Sequence, residues 1–351
     1  MTIFILHHHV SKYDEAAFAE KVRLVFGLKE IAWHSVIQSS VMPQPDLLAL
    51  TGGYQRTPVL QIGADIFCDP QLIIAEIERR QPLPTLFPDG NPGLANALSA
   101  WAHGPYAVGA VALYLGAVAP YADDLSRPQN FHEDHEKMWL TQFDNDQLKH
   151  QLADDLSWPQ NSHEDHEKMW LTQFDNDQLK HQLKHQLAGY RSRLHAQTDF
   201  LRQQLADGRP FMTGEAPGLV DLHALWNPWF LRRFAPAEAQ WAYDPYPEIV
   251  AWEARLTALG HGQYVEMTPA DALSCARTAE PAAPLGVDPN DPLNIPAGTP
   301  VTVSPTDYAG VPVAGKLVAT TVQSVSIQHH DPDIGNVVVH FPRIGYEITA
   351  A

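Results

Sequence analysis

Cysteine is nearly absent from this chain of 351 residues: Cys68 and Cys275 are the only two, far apart in sequence. Neither a disulfide framework nor a cysteine-ligated zinc site can be built from such a pair. Basic residues are also scarce, 23 against 41 acidic, for a net charge of −18. An acidic surface repels phosphate backbones and anionic bilayers, which argues against nucleic acid or a membrane as the main partner. No apolar run approaches the length of a membrane span. The opening MTIFILHHHV places five apolar residues before three histidines instead of a basic end and a long apolar stretch. The chain reads as cytoplasmic, with the histidines as part of the fold because they directly follow a strand-like run. What is present, 45% hydrophobic and 9% aromatic residues with 18% charged, excludes disorder as the main state. The length calls for two or three units, each with its own core.

Residues 1–80 alternate in character: TIFIL, the helix-like AAFAEKVRLVFGL, AWHSVI, PVLQI, DIF and the helix-like PQLIIAEIERR. This order predicts a βαβ unit followed by a ββα unit. Phe18, Val22 and Val25 fall on one helical face that packs on the sheet, with Glu20, Lys21 and Arg23 turned elsewhere. Residues 81–93, QPLPTLFPDGNPG, hold four prolines and two glycines and read as a linker. From 94 to 262 the pattern is helical, punctuated by glycine and proline. The tail, 280–351, is rich in valine, isoleucine and threonine between glycine turns and reads as a small all-β module. Such a unit buries too little to stand alone, so it is expected to dock on the helical part, and truncation near Pro281 is expected to leave the N-terminal site intact.

Residues 122–152 recur as 153–183 at an offset of 31, differing only at Arg127 against Trp158 and Phe131 against Ser162. Two near-identical copies mark a tandem duplication rather than a solenoid. At about 100° per residue the offset turns a helix face by roughly 220°, so the second copy is out of phase and expected to be dispensable. His132 and His135, with their repeats His163 and His166, share a helix face as a metal pair would. No third ligand accompanies them, and the expectation is solvated surface and no metal.

The stretch TPVLQIGADIFCDPQLIIAEIERR, residues 57–80, resembles the second half of the thioredoxin-like domain of glutathione S-transferases. The helical segment FMTGEAPGLVDLHALWNPWFL, residues 211–231, is similar to that family's buried helix with an N-terminal aspartate. There Asp221 bonds back to the cap at Gly218 in a structural role. The resemblance implies an α/β thioredoxin-like domain, then an all-α helical bundle domain, with the small all-β C-terminal module added. It also implies a cytoplasmic homodimer active in detoxification, with glutathione as co-substrate.

Residue by residue, Pro58 matches the family's cis-proline, which leaves Val59 to pair its backbone with an extended peptide. An ordinary strand-opening proline is the alternative. Asp69 and Pro70 open the next helix, where free amides and the helix dipole favour an anion. The resemblance gives Asp69 the amino group of the γ-glutamyl end. Pro70 offers neither hydroxyl nor N–H, so the ligand carboxylate falls to the Gln71 amide. The alternative is a plain aspartate cap with proline at the first helical position. Arg56 and Thr57, just before the turn, complete the glutathione-binding set.

The family's catalytic hydroxyl lies after the first strand and favours the thiolate of glutathione. Ser11 and Tyr13 are the candidates, although Ala16 stands where the family pattern has serine. Ser11 and Asp14 also form a capping box. Cys68 reads as a small core residue. Trp101, Tyr106, Trp226 and Trp229 read as core or as the wall of an apolar pocket. The expected activity is addition of the glutathione thiol to an apolar electrophile; the alternative is a non-catalytic glutathione-binding or scaffold protein on the same fold. Reduction through a mixed disulfide would want a cysteine in the first loop, which has none.

Overall fold

The computed structural model describes residues 2–9, 17–39, 44–118, 177–306 and 311–350. Ser11, Tyr13 and the paired histidines at 132, 135, 163 and 166 lie outside them, as does nearly all of the duplicated stretch. The described chain divides into two compact units. One comprises Met1–Leu86 and Leu256–Ala351, and the described part of the other lies between Phe87 and Arg255.

The first unit begins β1 (Phe4–His8), α1 (Ala17–Leu28), β2 (Ala32–Ile37), α2 (Pro45–Thr51), β3 (Val59–Ile62), β4 (Asp65–Cys68) and α3 (Pro70–Arg80). β1 runs parallel to β2 and antiparallel to β3, and β4 is antiparallel to β3. This is the thioredoxin-like arrangement, with α2 added to the sequence expectation. The short PDLLALT segment carries too few residues to show a periodicity, although Gly52 in left-handed backbone (φ 69°) closes it as a helix C-terminus requires.

Helix α1 departs from the amphipathic expectation. Glu20, Lys21 and Arg23 are buried along with Val22, Val25 and Phe26. The chain at 259–262 covers the second face: a Cβ on Gly27 would meet the Gly260 carbonyl oxygen at 2.0 Å, and a Cβ on Gly262, at φ 70°, would meet the Ile31 oxygen at 2.4 Å. Two glycines therefore permit the close approach. The polar side chains this buries are paired, Arg23 to Glu20 at 2.7 Å and Glu20 to His261 at 2.9 Å.

After this crossing the chain forms β5 (Gln263–Glu266), parallel to β2, and α10 (Pro269–Thr278). Thr268 caps α10 by accepting from the Asp271 amide and donating to its carboxylate. The tail then forms β6 (Pro300–Pro305), β7 (Val313–Thr320), β8 (Ser324–Asp331), β9 (Gly335–Pro342) and β10 (Tyr346–Ala350). It is all-β, as expected. Its partner, however, is not the helical layer: β9 pairs parallel with β4, Asp65 opposite Val338 and Phe67 opposite His340. One ten-stranded sheet results, ordered β10-β6-β7-β8-β9-β4-β3-β1-β2-β5. The physical reason is the free edge of β4, whose unpaired N–H and C=O groups are satisfied by another strand. The core is continuous across the joint, with Leu47, Leu50, Tyr54, Val59 and Ile66 in one cluster with Val303, Leu317, Ile327, Val339 and Phe341.

The second unit contains α4 (Pro92–His103), α5 (Pro105–Val118), α6 (Asp177–Leu205), α7 (Leu219–Phe234), α8 (Pro236–Tyr243) and most of α9 (Pro247–Thr257). Leu194, Thr198, Leu201 and Leu205 of α6 are buried at helical spacing. Asp221 is the polar anchor of this unit. It accepts from the Met212 and Gly218 amides at 2.8 and 3.0 Å and from the Trp252 indole at 2.8 Å, so its structural role holds. Tyr106 and Trp226 are fully buried, stacked on Trp101 and Phe230 respectively, and are core.

Candidate functional site

The site is built where β3 begins and β4 ends. The Thr57–Pro58 peptide is cis, and Pro58 and Val59 are buried. Val59 stands in register with His7 on one side and Cys68 on the other. It is therefore inside the ladder, and the open backbone expected of Val59 is not there. An extended ligand can approach only the chain ahead of the strand, at Thr57. Cys68 has no exposed surface, and burial, helped by the Asp69 charge, pushes its thiol well above the usual range. It is a core residue, not a nucleophile.

Asp69 follows directly, at φ 75° and ψ 131°. A non-glycine residue in that region is strained by about 1–3 kcal/mol. Its Oδ1 accepts from the Gln71 amide at 2.9 Å, with Pro70 at the first helical position of α3. The Gln71 amide assigned to a ligand carboxylate is thus engaged by the cap. Around the carboxylate stand three further groups, Tyr346, Tyr54 and Lys21. Tyr346 donates to Oδ2 at 3.4 Å and lies 3.0 Å from the Tyr54 hydroxyl. Burial and the Asp69 charge drive the Tyr346 phenol far upward, while Arg56 counteracts this. Lys21, buried in α1, has its ammonium pulled down to about 7 by burial, with Asp69 acting the other way. The structure thus brings Arg56, Thr57, Pro58, Asp69 and Pro70 to one corner, and adds Lys21, Tyr54 and Tyr346. No local sequence signal marks these three, which come from α1, from the loop ahead of β3 and from β10.

Ser11 and Tyr13 lie outside the described residues; the end of β1 that precedes them carries two buried histidines. His7 Nδ1 accepts from the Gln38 amide at 3.0 Å, so its Nε2 donates to Gln61 Oε1 at 2.9 Å. His8 Nδ1 accepts from Arg23 at 3.3 Å, and its Nε2 donates to Ser35 Oγ at 2.9 Å. One nitrogen of each ring must stay unprotonated to accept, and burial holds His7 down to about 4. His8 falls to about 3 through burial and then the Arg23 charge. Burial raises Glu20, but His261 and Arg23 outweigh this and hold it below the usual range.

One constellation in the tail was not legible in its spacing. His340 lies between Ser326 Oγ at 2.8 Å and Asp65 Oδ1 at 3.0 Å, stacked on Phe67. Ser326 is only 5% exposed, and β8 is paired on both sides. The trio is a polar bridge across the β4–β9 joint. Among the described residues no group of three or more His, Cys, Asp or Glu is placed to hold a metal, and no helix is long and apolar enough to cross a membrane.

Comparison with known proteins agrees with this architecture. The family model described as glutathione S-transferase, N-terminal domain, matches residues 12–85. A solved structure of a GST-like protein from Pseudomonas syringae is 30% identical and matches over 100% of this chain and 100% of that one, with a TM-score of 0.68. A glutathione S-transferase from Rhodospirillum rubrum F11 matches 73% of this chain and 88% of its own at 16% identity, TM-score 0.42. Another from Methylobacterium radiotolerans, in complex with glutathione sulfonate, matches 76% and 97% at 16% identity, TM-score 0.43. No curated protein matches the chain. The fold is thus a thioredoxin-like unit with a helical unit and added C-terminal strands. The chain belongs to the glutathione S-transferase family.

Proposed function

We propose that this chain binds glutathione at the corner formed by Arg56, Thr57, Pro58 and Asp69. There the Asp69 carboxylate takes the ligand's amino group, and the bound thiol is activated for addition to an apolar electrophile. The observation that carries the reading is Asp69: a strained, half-buried carboxylate at the entrance to α3. Strain of this kind persists where the surroundings over-determine it, which is the mark of a functional position. Ser11 is the proposed source of the hydroxyl that stabilises the thiolate, with Tyr13 in reserve. The proposal includes a cytoplasmic homodimer, a role in detoxification and no bound metal.

The test is calorimetry with glutathione on the native chain and on Asp69→Ala. Millimolar or tighter binding, weakened about tenfold or more by the substitution, is expected. Absence of binding, or indifference to Asp69→Ala, overturns the site. Conjugation that survives both Ser11→Ala and Tyr13→Phe removes those side chains from the chemistry. A non-catalytic glutathione-binding or scaffold protein is the second reading. The observation that favours it is the loss of carboxylate donors at α3, where Pro70 has no N–H and the Gln71 amide is turned to Asp69.

A further inference from the structure

The Asp69 carboxylate is reached by a side chain 277 residues away. Tyr346 opens β10 in the added module, and its hydroxyl donates to Asp69 Oδ2 at 3.4 Å. A phenol has one proton, so the Tyr54–Tyr346 contact of 3.0 Å must run from Tyr54 to Tyr346. The chain of donors is therefore ordered, Tyr54 to Tyr346 to Asp69. It ends on the oxygen that the Gln71 amide leaves open, since Oδ1 is the one accepting from Gln71. Both phenols are buried and both rings pack on Phe341, so the hydroxyls have little freedom to turn away.

We propose that Tyr346 of the C-terminal module is a positioning residue for Asp69, orienting its carboxylate toward the ammonium group of an amino-acid ligand. The assignment rests on the glutathione reading and gives the tail a part in the site. Tyr346 does not touch the reacting thiol. At 3.4 Å the bond is long for O–H···O, and such contacts tighten in ligand complexes. The charged and titratable groups facing this corner are Lys21 from α1, Arg56 ahead of β3, Tyr54, Cys68 of β4 and Tyr346.

The experiment compares glutathione affinity as a function of pH in the native full chain, Asp69→Asn, Tyr346→Phe and Tyr54→Phe, with melting curves for each. Tyr346→Phe keeps the ring and its packing. It is expected to weaken binding about five- to tenfold and to move the acid limb of the pH profile upward by about half a unit or more, with melting close to native. Tyr54→Phe should act in the same direction more weakly, and it carries the test if Tyr346→Phe melts early. If Asp69→Asn loses affinity while the phenylalanine variants match the native chain in affinity and pH profile, the positioning role is overturned and the site stands. If glutathione does not bind, or ignores Asp69→Asn, the site reading fails. Carbon-13 titration of the Asp69 carboxyl in native and Tyr346→Phe chains then decides the positioning role by itself, and an unmoved midpoint overturns it.

Discussion

His7 and His8 are buried as neutral rings, and this has a pH consequence whose sign can be worked out. Their unfolded value is near 6.5, and burial lowers them to about 4 and about 3 in the fold. Between those limits the unfolded chain binds more protons, so stability rises with pH. It is fully present above about 6.5 and is lost progressively as the pH falls toward 4 and below. Lys21 acts in the same direction higher up. Its native value of about 7 lies below the ordinary 10.5, so it lowers stability below pH 7 and ceases to do so above 10.5. Glu20, Asp65 and Glu76, each held below the ordinary carboxylate value despite burial, add a further loss as the pH falls through the acid range. Denaturant melts at pH 7.5, 6.5, 5.5 and 4.5 are therefore expected to show midpoints falling at each step. Replacing His7 with Gln should flatten the fall between 6.5 and 4.5. A flat native profile would show that these rings are not held neutral.

At the scale of elements, α1 decides how the start of the site is held. It is enclosed on both faces because Gly27 and Gly262 let two backbones approach closely. Alanine normally stabilises a helix interior over glycine by about 1 kcal/mol. At position 27 the sign should reverse, because the added carbon would meet backbone atoms of 259 and 260, which cannot step aside. Gly27→Ala is expected to cost about 1–3 kcal/mol, read as a lower denaturant midpoint with an unchanged slope. A neutral or stabilising outcome would refute the enclosure of α1. Two of the missed elements, α2 and β5, share a cause, their shortness. β5 is four residues long and exposed throughout, so no alternation distinguishes its faces. α10 did carry a signal, Thr268 and Asp271 about Pro269, a helix opening with its cap.

For the whole molecule, the ten-stranded sheet changes what the tail is. Deleting residues 281–351 would uncover β4 and strip Leu47, Leu50, Tyr54, Val59 and Ile66 of the partners that complete their cluster. The truncated chain is expected to be insoluble, or to keep far-UV signal while losing near-UV signal and cooperative melting. This replaces the expectation, from the tail's small size, that truncation leaves the N-terminal site intact. A soluble truncated chain with native-like near-UV spectrum and melting would show that the N-terminal strands complete their core alone.

Local chemistry was enough to order β1, α1, β2, β3, β4 and α3 and to separate a helical stretch from a β tail, while the family resemblance pointed to Pro58, Asp69, Pro70 and Asp221. Strand alternation, helix openings and proline geometry act over a few residues and are written in neighbouring letters. What covers the edge of β4, why Glu20, Lys21 and Arg23 are buried, and how Tyr346 comes to Asp69 depend on residues 200 or more positions away. Tyr346 and Asp69 share no sequence pattern; they meet beside the one core cluster that holds Tyr54, Cys68, Phe341 and Tyr346, which the tail strands complete once β9 pairs with β4. Backbone pairing is indifferent to side-chain identity along most of a ladder, so the sequence alone determined most of the elements while only the tertiary structure decided which distant residues stand around Asp69.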